Sequence, residues 1–277
     1  MQASAQKWLN DLQSRHSSQR VELPINSDPS TAASTSSAQR LRAGPDRGPV
    51  EMRRALLLVG SPKTRKSTSN SLGGYLFEQL EARSIQTETI YLHTVLRSPV
   101  KMQTLLDAVD AADLVTLAFP LYVDSLPAPV IEALARIAAH RQGRDPSQRQ
   151  LFTAIANCGF PEAYQTATAL AICETFARQA GFDWAGALAL GAGEMVNGAS
   201  LVEAGGMTIL IRKALDLAAE ALAQGRAIPK ASREGLAKPV IPHWLYRLSG
   251  WLRWIKWAKD YGALKLLNRK PYLAKAN

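Results

Sequence analysis

Between residues 55 and 223 the chain switches repeatedly between short apolar runs and longer stretches of helical spacing, and this alternation restricts the fold more than any other feature. Residues 55–59 are an unbroken apolar run ending at Gly60, the pattern of a strand buried on both faces. Residues 72–82 then place Leu72, Leu76 and Leu80 four apart, as one face of a helix does. The pattern recurs: residues 114–119, 151–156 and 185–190 read as strands, residues 85–92 as a strand from their alternation, and residues 102–112, 130–139, 163–180 and 207–223 as helices, the last two closed near Gly181 and Gly225. Strands alternating with helices predict βαβ units and a parallel sheet covered on both faces. The expected fold is a three-layer, doubly wound α/β domain with five strands in the order 2-1-3-4-5. Such sheets bind ligands at the carboxyl ends of their strands, beside the switch point. Function is therefore to be sought in the loops that follow the strands.

Three of these loops carry chemistry. After the first strand the chain reads Gly60-Ser61-Pro62-Lys63-Thr64-Arg65-Lys66-Ser67-Thr68-Ser69 and enters a helix. Hydroxyls and first-turn amides at a helix N-terminus suit an anion, and three cations raise the local potential. A plain serine N-cap beneath a solvated basic loop gives the same spacing. Neither GxxxxGK[ST] nor GxGxxG is present, so a P-loop and a dinucleotide fingerprint are not supported. After the third strand, residues 119–129 supply an aromatic ring and a proline-stiffened turn that suit the flank of a flat heterocycle, or an ordinary strand-to-helix connection with Pro127 near the helix start. After the fourth, Asn157-Cys158-Gly159-Phe160-Pro161-Glu162-Ala163-Tyr164 combines a glycine that permits close approach with two rings. A turn with a buried, packing cysteine reads the same way. His93 and Asp124 are expected to be structural, and no catalytic side chain is assigned.

Together the three loops resemble those of the NADPH-dependent FMN reductases and related flavodoxin-like oxidoreductases, over roughly residues 53–225. Gly60-Ser61-Pro62-Lys63 with the following serines resembles the family's phosphate loop, residues 120–127 its P-x-Y-x-x-x-x-P loop beside the isoalloxazine ring, and residues 157–162 its third flavin loop. The resemblance implies a flavodoxin-like fold and bound FMN. It assigns the phosphate to Ser61, Lys63, Ser67, Thr68 and Ser69, the ring edges to Pro120, Leu121, Tyr122 and Val123, and further ring contacts to Asn157, Gly159, Phe160 and Glu162. One branch of the family has a cysteine-rich segment after the second strand; residues 94–99 here contain no cysteine, which disfavours an iron–sulfur variant. With the flavin carrying the redox chemistry, the implied activity is hydride transfer from NAD(P)H to a small acceptor such as a quinone, a flavin or another electrophile. A flavodoxin-type electron carrier, and a flavin-free scaffold acting through its tail, are the alternatives. Dimers are common in the similar family, so a homodimer is expected by analogy.

Charge separates the domain from its extensions. The chain carries +10 overall with a pI near 9.8, yet residues 1–50 contribute +2, residues 51–228 −1, and residues 229–277 +9. The basicity belongs to the tail and describes a partner of the tail. Residues 1–50 are rich in Ser, Gln, Ala and Arg and are expected to be disordered, save a short helix near residues 5–12. Asp11, Glu22, Asp28 and Asp46 disfavour a transit peptide, and Met52 stands as an alternative start. Two cysteines without CxxC spacing and four scattered histidines predict neither a zinc site nor a disulfide, and suit a cytoplasmic location. No run of about 20 apolar residues predicts a transmembrane helix. In the tail, Trp244, Leu248, Trp251, Ile255 and Ala258 form one helical stripe, with Arg253, Lys256, Lys259 and Lys265 largely on another arc. Packing on the core or on a second subunit, peripheral contact with anionic lipid through residues 240–270, and nucleic-acid binding are the three readings. The last is disfavoured, since no reading motif accompanies the charge.

Overall fold

The computed structural model describes residues 51–143, 149–239 and 242–269. The segment expected to be disordered, residues 1–50 with its short helix, lies outside the described residues. Five strands, β1 (Arg54–Val59), β2 (Gln86–Tyr91), β3 (Leu114–Pro120), β4 (Leu151–Asn157) and β5 (Asp183–Leu190), form one parallel sheet in the order β2-β1-β3-β4-β5. This is the doubly wound, flavodoxin-like arrangement that the alternation predicts. Val59 stands level with Tyr91 and Ala118, and Asn157 with Pro120 and Leu190, so the carboxyl ends of the strands share one edge.

The helices α1 (Thr68–Glu81), α2 (Pro99–Ala111), α3 (Ala128–His140), α4 (Ala167–Gln179) and α5 (Ile209–Ala223) occupy both faces. Alternation along the strands divides the core. Leu56, Leu58, Val115, Leu117 and Phe119 pack with residues of α2, α3 and α4, including Leu105, Leu134 and Phe176. Ala55, Leu57, Val59, Ala118 and Ile155 pack with Leu72 and Leu76 of α1 and Leu215 and Leu222 of α5. Both α1 and α2 begin before the first apolar residue of their periodic pattern, because a serine ends each loop as an N-cap: the Ser67 hydroxyl accepts from the Asn70 amide (3.1 Å) and Ser98 from the Lys101 amide (3.4 Å).

Past α5 the chain returns to the sheet. The Ile228 amide donates to the Ala185 carbonyl of β5 (2.7 Å), and α6 (Lys230–Ala237) buries Leu236 and Ser232, whose hydroxyl donates to the Ala214 carbonyl (2.7 Å). An edge strand is thereby covered. Helix α7 (His243–Asp260) follows. Its predicted apolar stripe does not pack on the sheet: Trp244, Leu248 and Trp251 are exposed, and only Ala258 is buried. A turn running through Leu264–Leu266 folds back on the end of α7, the Ala263 amide donating to the Ala258 carbonyl (2.7 Å). Among the described residues no helix is long and apolar enough to cross a membrane.

Candidate functional site

The loop after β1 is bound tightly to the sheet. The Gly60 amide donates to the Ala118 carbonyl of β3 (2.8 Å), and a Cβ at Gly60 would stand 2.4 Å from Val130 Cγ2, so a side chain does not fit there. Ser61 is buried and its hydroxyl accepts from the Lys63 amide (3.3 Å). A single 3₁₀ turn (Thr64–Lys66) then leads to Ser67, which caps α1 and donates to the Thr64 carbonyl (2.6 Å). Thr68 donates to the Gly193 carbonyl (2.8 Å), and Ser69 accepts from the Asn157 side-chain amide (2.8 Å). The hydroxyls of Ser61 and Ser69 are acceptors in these bonds and each retains a proton to donate. The first turn of α1 contains no carboxylate. Lys63, Arg65 and Lys66 are exposed and make no ion pair among the described residues. Helix-start amides, hydroxyl protons and three uncompensated cations fit the phosphate of FMN.

The loop after β3 carries Pro120 at the strand end, then Leu121, Tyr122 and Val123. The Leu121 amide donates to the Asn157 carbonyl (2.8 Å), tying this loop to β4. Tyr122 and Ser125 exchange two backbone bonds of 3.0 Å across Val123 (φ 48°) and Asp124 (φ 58°). Successive left-handed residues make a tight reversal that thrusts Val123 into solvent at 97% exposure. Asp tolerates that backbone; a β-branched residue is strained in it.

Asn157 ends β4 and is 6% exposed. Its side-chain amide also donates to the Phe119 carbonyl (3.1 Å), so one buried residue joins the loops after β1, β3 and β4. Beyond it, Cys158 is buried beneath the loop, its thiol directed at the carbonyls of Phe160 (3.5 Å) and Glu162 (3.6 Å). Burial pushes this thiol above its ordinary range, so it stays protonated and is no thiolate nucleophile. Phe160 and Tyr164 are exposed and Glu162 is half-buried. With Tyr122 and Val123 they present apolar surface on two neighbouring loops, which suits a flat ring.

The sequence did not point to the loop after β5, which closes this edge. The Gly193 amide donates to the Cys158 carbonyl (2.8 Å) and the Ala192 amide to the Phe160 carbonyl (2.6 Å). Gly198, at φ +77°, lies so close that a Cβ would stand 2.7 Å from the Lys66 carbonyl carbon. The glycine-rich spelling of residues 191–198 after a strand was the available signal. Helix α7 reaches the same edge: the Tyr246 hydroxyl donates to the Gly159 carbonyl, and Arg253 pairs with Glu194 (3.4 Å). A cleft of about 570 Å³ lies elsewhere, lined by Met52, Arg53, Arg54, Ser84, Gln86, Ala111 and Asp113 near the amino ends of the strands. It holds none of the predicted residues.

Residues 53–175 match the family model of the NADPH-dependent FMN reductases. No curated protein matches the chain. Among solved structures, the chain is similar to an FMN-dependent NADH-azoreductase from Bacillus anthracis in complex with FMN (14% identity, 62% of this chain and 100% of that one, TM-score 0.45). It is also similar to the Trp repressor binding protein from Bacillus subtilis (11% identity, 50% and 83%, TM-score 0.40), and to a flavodoxin from Streptococcus pneumoniae TIGR4 (11% identity, 48% and 82%, TM-score 0.35). The matched segment, residues 53–175, includes the loops after β1, β3 and β4, and its similarity to the NADPH-dependent FMN reductases marks the chain as a flavin-dependent oxidoreductase with FMN as its cofactor and NAD(P)H as its co-substrate.

Proposed function

We propose that FMN is held across the three loops joined by Asn157, and that the protein passes electrons from NAD(P)H to a small acceptor of the quinone, flavin or electrophile class. The bridge made by Asn157 carries this reading, because it brings the anion-binding helix start and the exposed rings to one sheet edge. Ser61, Lys63, Ser67, Thr68 and Ser69 are assigned to the phosphate, with Ser67 and Thr68 contributing chiefly through the helix start that their side chains cap and anchor. Pro120, Leu121, Tyr122 and Val123 flank the ring on one side; Asn157, Gly159, Phe160 and Glu162 flank it on the other. The bound flavin supplies the hydride and electron chemistry. The protein orients it, offers protons from hydroxyls, and keeps the Cys158 thiol protonated and out of the reaction.

The carrier and scaffold readings are set aside because the matching family is one of reductases. Peripheral membrane contact through residues 240–270, a cytoplasmic location and a homodimer complete the proposal. The homodimer rests on analogy with the family alone. Purified protein supplemented with FMN is expected to show flavin absorbance bands that bleach on anaerobic addition of NAD(P)H and return with a water-soluble benzoquinone. Protein that binds no flavin would overturn the reading. Bleaching that no acceptor reverses would favour a different acceptor class.

A further inference from the structure

Helix α7 turns its polar edge, not its apolar one, toward the domain. At 3.6 residues per turn, Tyr246 and Arg253, seven apart, share one edge, and that edge makes the bonds to Gly159 and Glu194. Trp244, Leu248 and Trp251 lie on the opposite side, 67%, 43% and 59% exposed. Trp254 borders this stripe and Trp257 stands near the Tyr246–Arg253 edge, both exposed. A contiguous apolar surface of this kind marks a contact face. Its charge selects the occupant. Residues 243–269 carry six Lys and Arg against one carboxylate, Asp260. A second copy of the helix would set like charges together, and a nucleic-acid duplex, its bases stacked inside, leaves the outward indoles without an apolar partner. The headgroup zone of an anionic bilayer satisfies both features, since an indole buries its ring while its N–H stays wet and the cations meet lipid phosphates.

We propose that α7 lies in the interface of an anionic membrane, and that its polar edge holds the rim of the flavin site at that surface, so that the electron acceptor is a quinone dissolved in the lipid. This rests on the assignment of FMN to the three loops. The balance is simple: a hydride from NAD(P)H brings two electrons and one proton, water supplies the second proton, and the quinone leaves as quinol while NAD(P)⁺ is released.

The test uses FMN-loaded full-length protein with vesicles of phosphatidylcholine, with or without phosphatidylglycerol, containing a water-insoluble long-chain ubiquinone. The protein is expected to sediment with the anionic vesicles at least tenfold more than with neutral ones, with a blue shift of tryptophan emission. NAD(P)H oxidation by the lipid quinone is expected to rise by a similar factor. Trp251→Ser with Trp254→Ser, and separately Lys256→Glu with Lys259→Glu, should lose sedimentation and lipid-quinone turnover while keeping turnover of a water-soluble benzoquinone. Turnover of the soluble quinone without sedimentation would overturn the membrane placement. Sedimentation without faster lipid-quinone turnover would overturn the acceptor. A dimer that both variants dissociate would make the stripe a subunit interface instead. Loss of turnover with every quinone by wild-type protein that still sediments would overturn the flavin-site reading beneath it, and with it the acceptor.

Discussion

Lys63, Arg65 and Lys66 on the loop after β1, and Arg247, Arg253, Lys256 and Lys259 on α7, are both exposed groups of cations. The backbone behind them differs. The first group stands on a loop pinned to the sheet by Gly60, to β4 by Ser69 and Asn157, and to the loop after β5 by Thr68 and Gly198. The second stands on a helix held, among the described residues, by a tyrosine hydroxyl and one exposed ion pair, with its tryptophans exposed. Cations on a rigid support beside helix-start amides suit one small anion. Cations interleaved with indoles on a lightly held helix make a face for an extended anionic plane. What stands behind the charge, rather than the charge itself, decides which.

The sharpest way to break the rigid half is Gly198→Ala. Its φ of +77° disfavours any side chain, and the new Cβ would meet Lys66 backbone rather than a movable side chain. The expected cost is about 2 kcal/mol or more in unfolding free energy, together with weaker FMN binding, read by denaturant melts and flavin titration. Unchanged stability would mean that the loop after β5 does not support the β1 loop.

Replacing Lys63, Arg65 and Lys66 together with glutamine tests whether the first cluster serves the phosphate. The three side chains carry no internal ion pair among the described residues, so the melting midpoint should hold. FMN affinity should fall by roughly ten- to a hundredfold, taking about 0.5–1 kcal/mol for each partly exposed charge near a helix start, while riboflavin affinity stays unchanged. Equal losses for FMN and riboflavin would move the phosphate away from this loop.

Much of this was readable in the sequence. The apolar runs give β1, β3, β4 and β5 because a doubly covered parallel strand is largely apolar along its length, whereas the edge strand β2 is legible only from its alternation. The serines before α1 and α2 mark helix starts that apolar spacing alone sets too late. The loop after β5 was not readable, because its role is a contact between the Gly193 carbonyl and Thr68, far apart in the chain. The sequence also exposes the stripe on α7 but not its direction, since periodicity fixes which residues share a face and is silent on what that face meets. Asn157 was assigned to ring contact from its motif; its buried bonds to Ser69 and Phe119 are visible only in three dimensions.

Val123→Asn probes the strained tip beside the proposed ring. Asparagine accepts a left-handed backbone that valine resists, and the side chain at this position is almost fully exposed, so little packing is lost. Stability should rise by about 1 kcal/mol. If the isopropyl group covers the flavin, binding weakens severalfold at the same time. A gain in stability with no change in FMN affinity would remove Val123 from the site.

Tyr246→Phe carries the smallest expected effect and touches the lightly held half. The hydroxyl donates to the Gly159 carbonyl at the rim of the site, and burial with nearby Glu194 raises its pKa, so it remains a donor at neutral pH. Loss of one neutral hydrogen bond near the surface costs about 0.5–1 kcal/mol where the freed carbonyl can turn to water. Global unfolding should therefore shift little, because α7 adds few contacts to the core. The local consequence is larger than the global one. With Glu194–Arg253 as the remaining exposed tie, itself worth at most about 1 kcal/mol, α7 should swing more freely, and tryptophan emission anisotropy should fall without any change in the melting midpoint. A fall in the midpoint as large as that of Gly198→Ala would show that α7 is part of the folded core, and would erase the distinction between the two cation clusters.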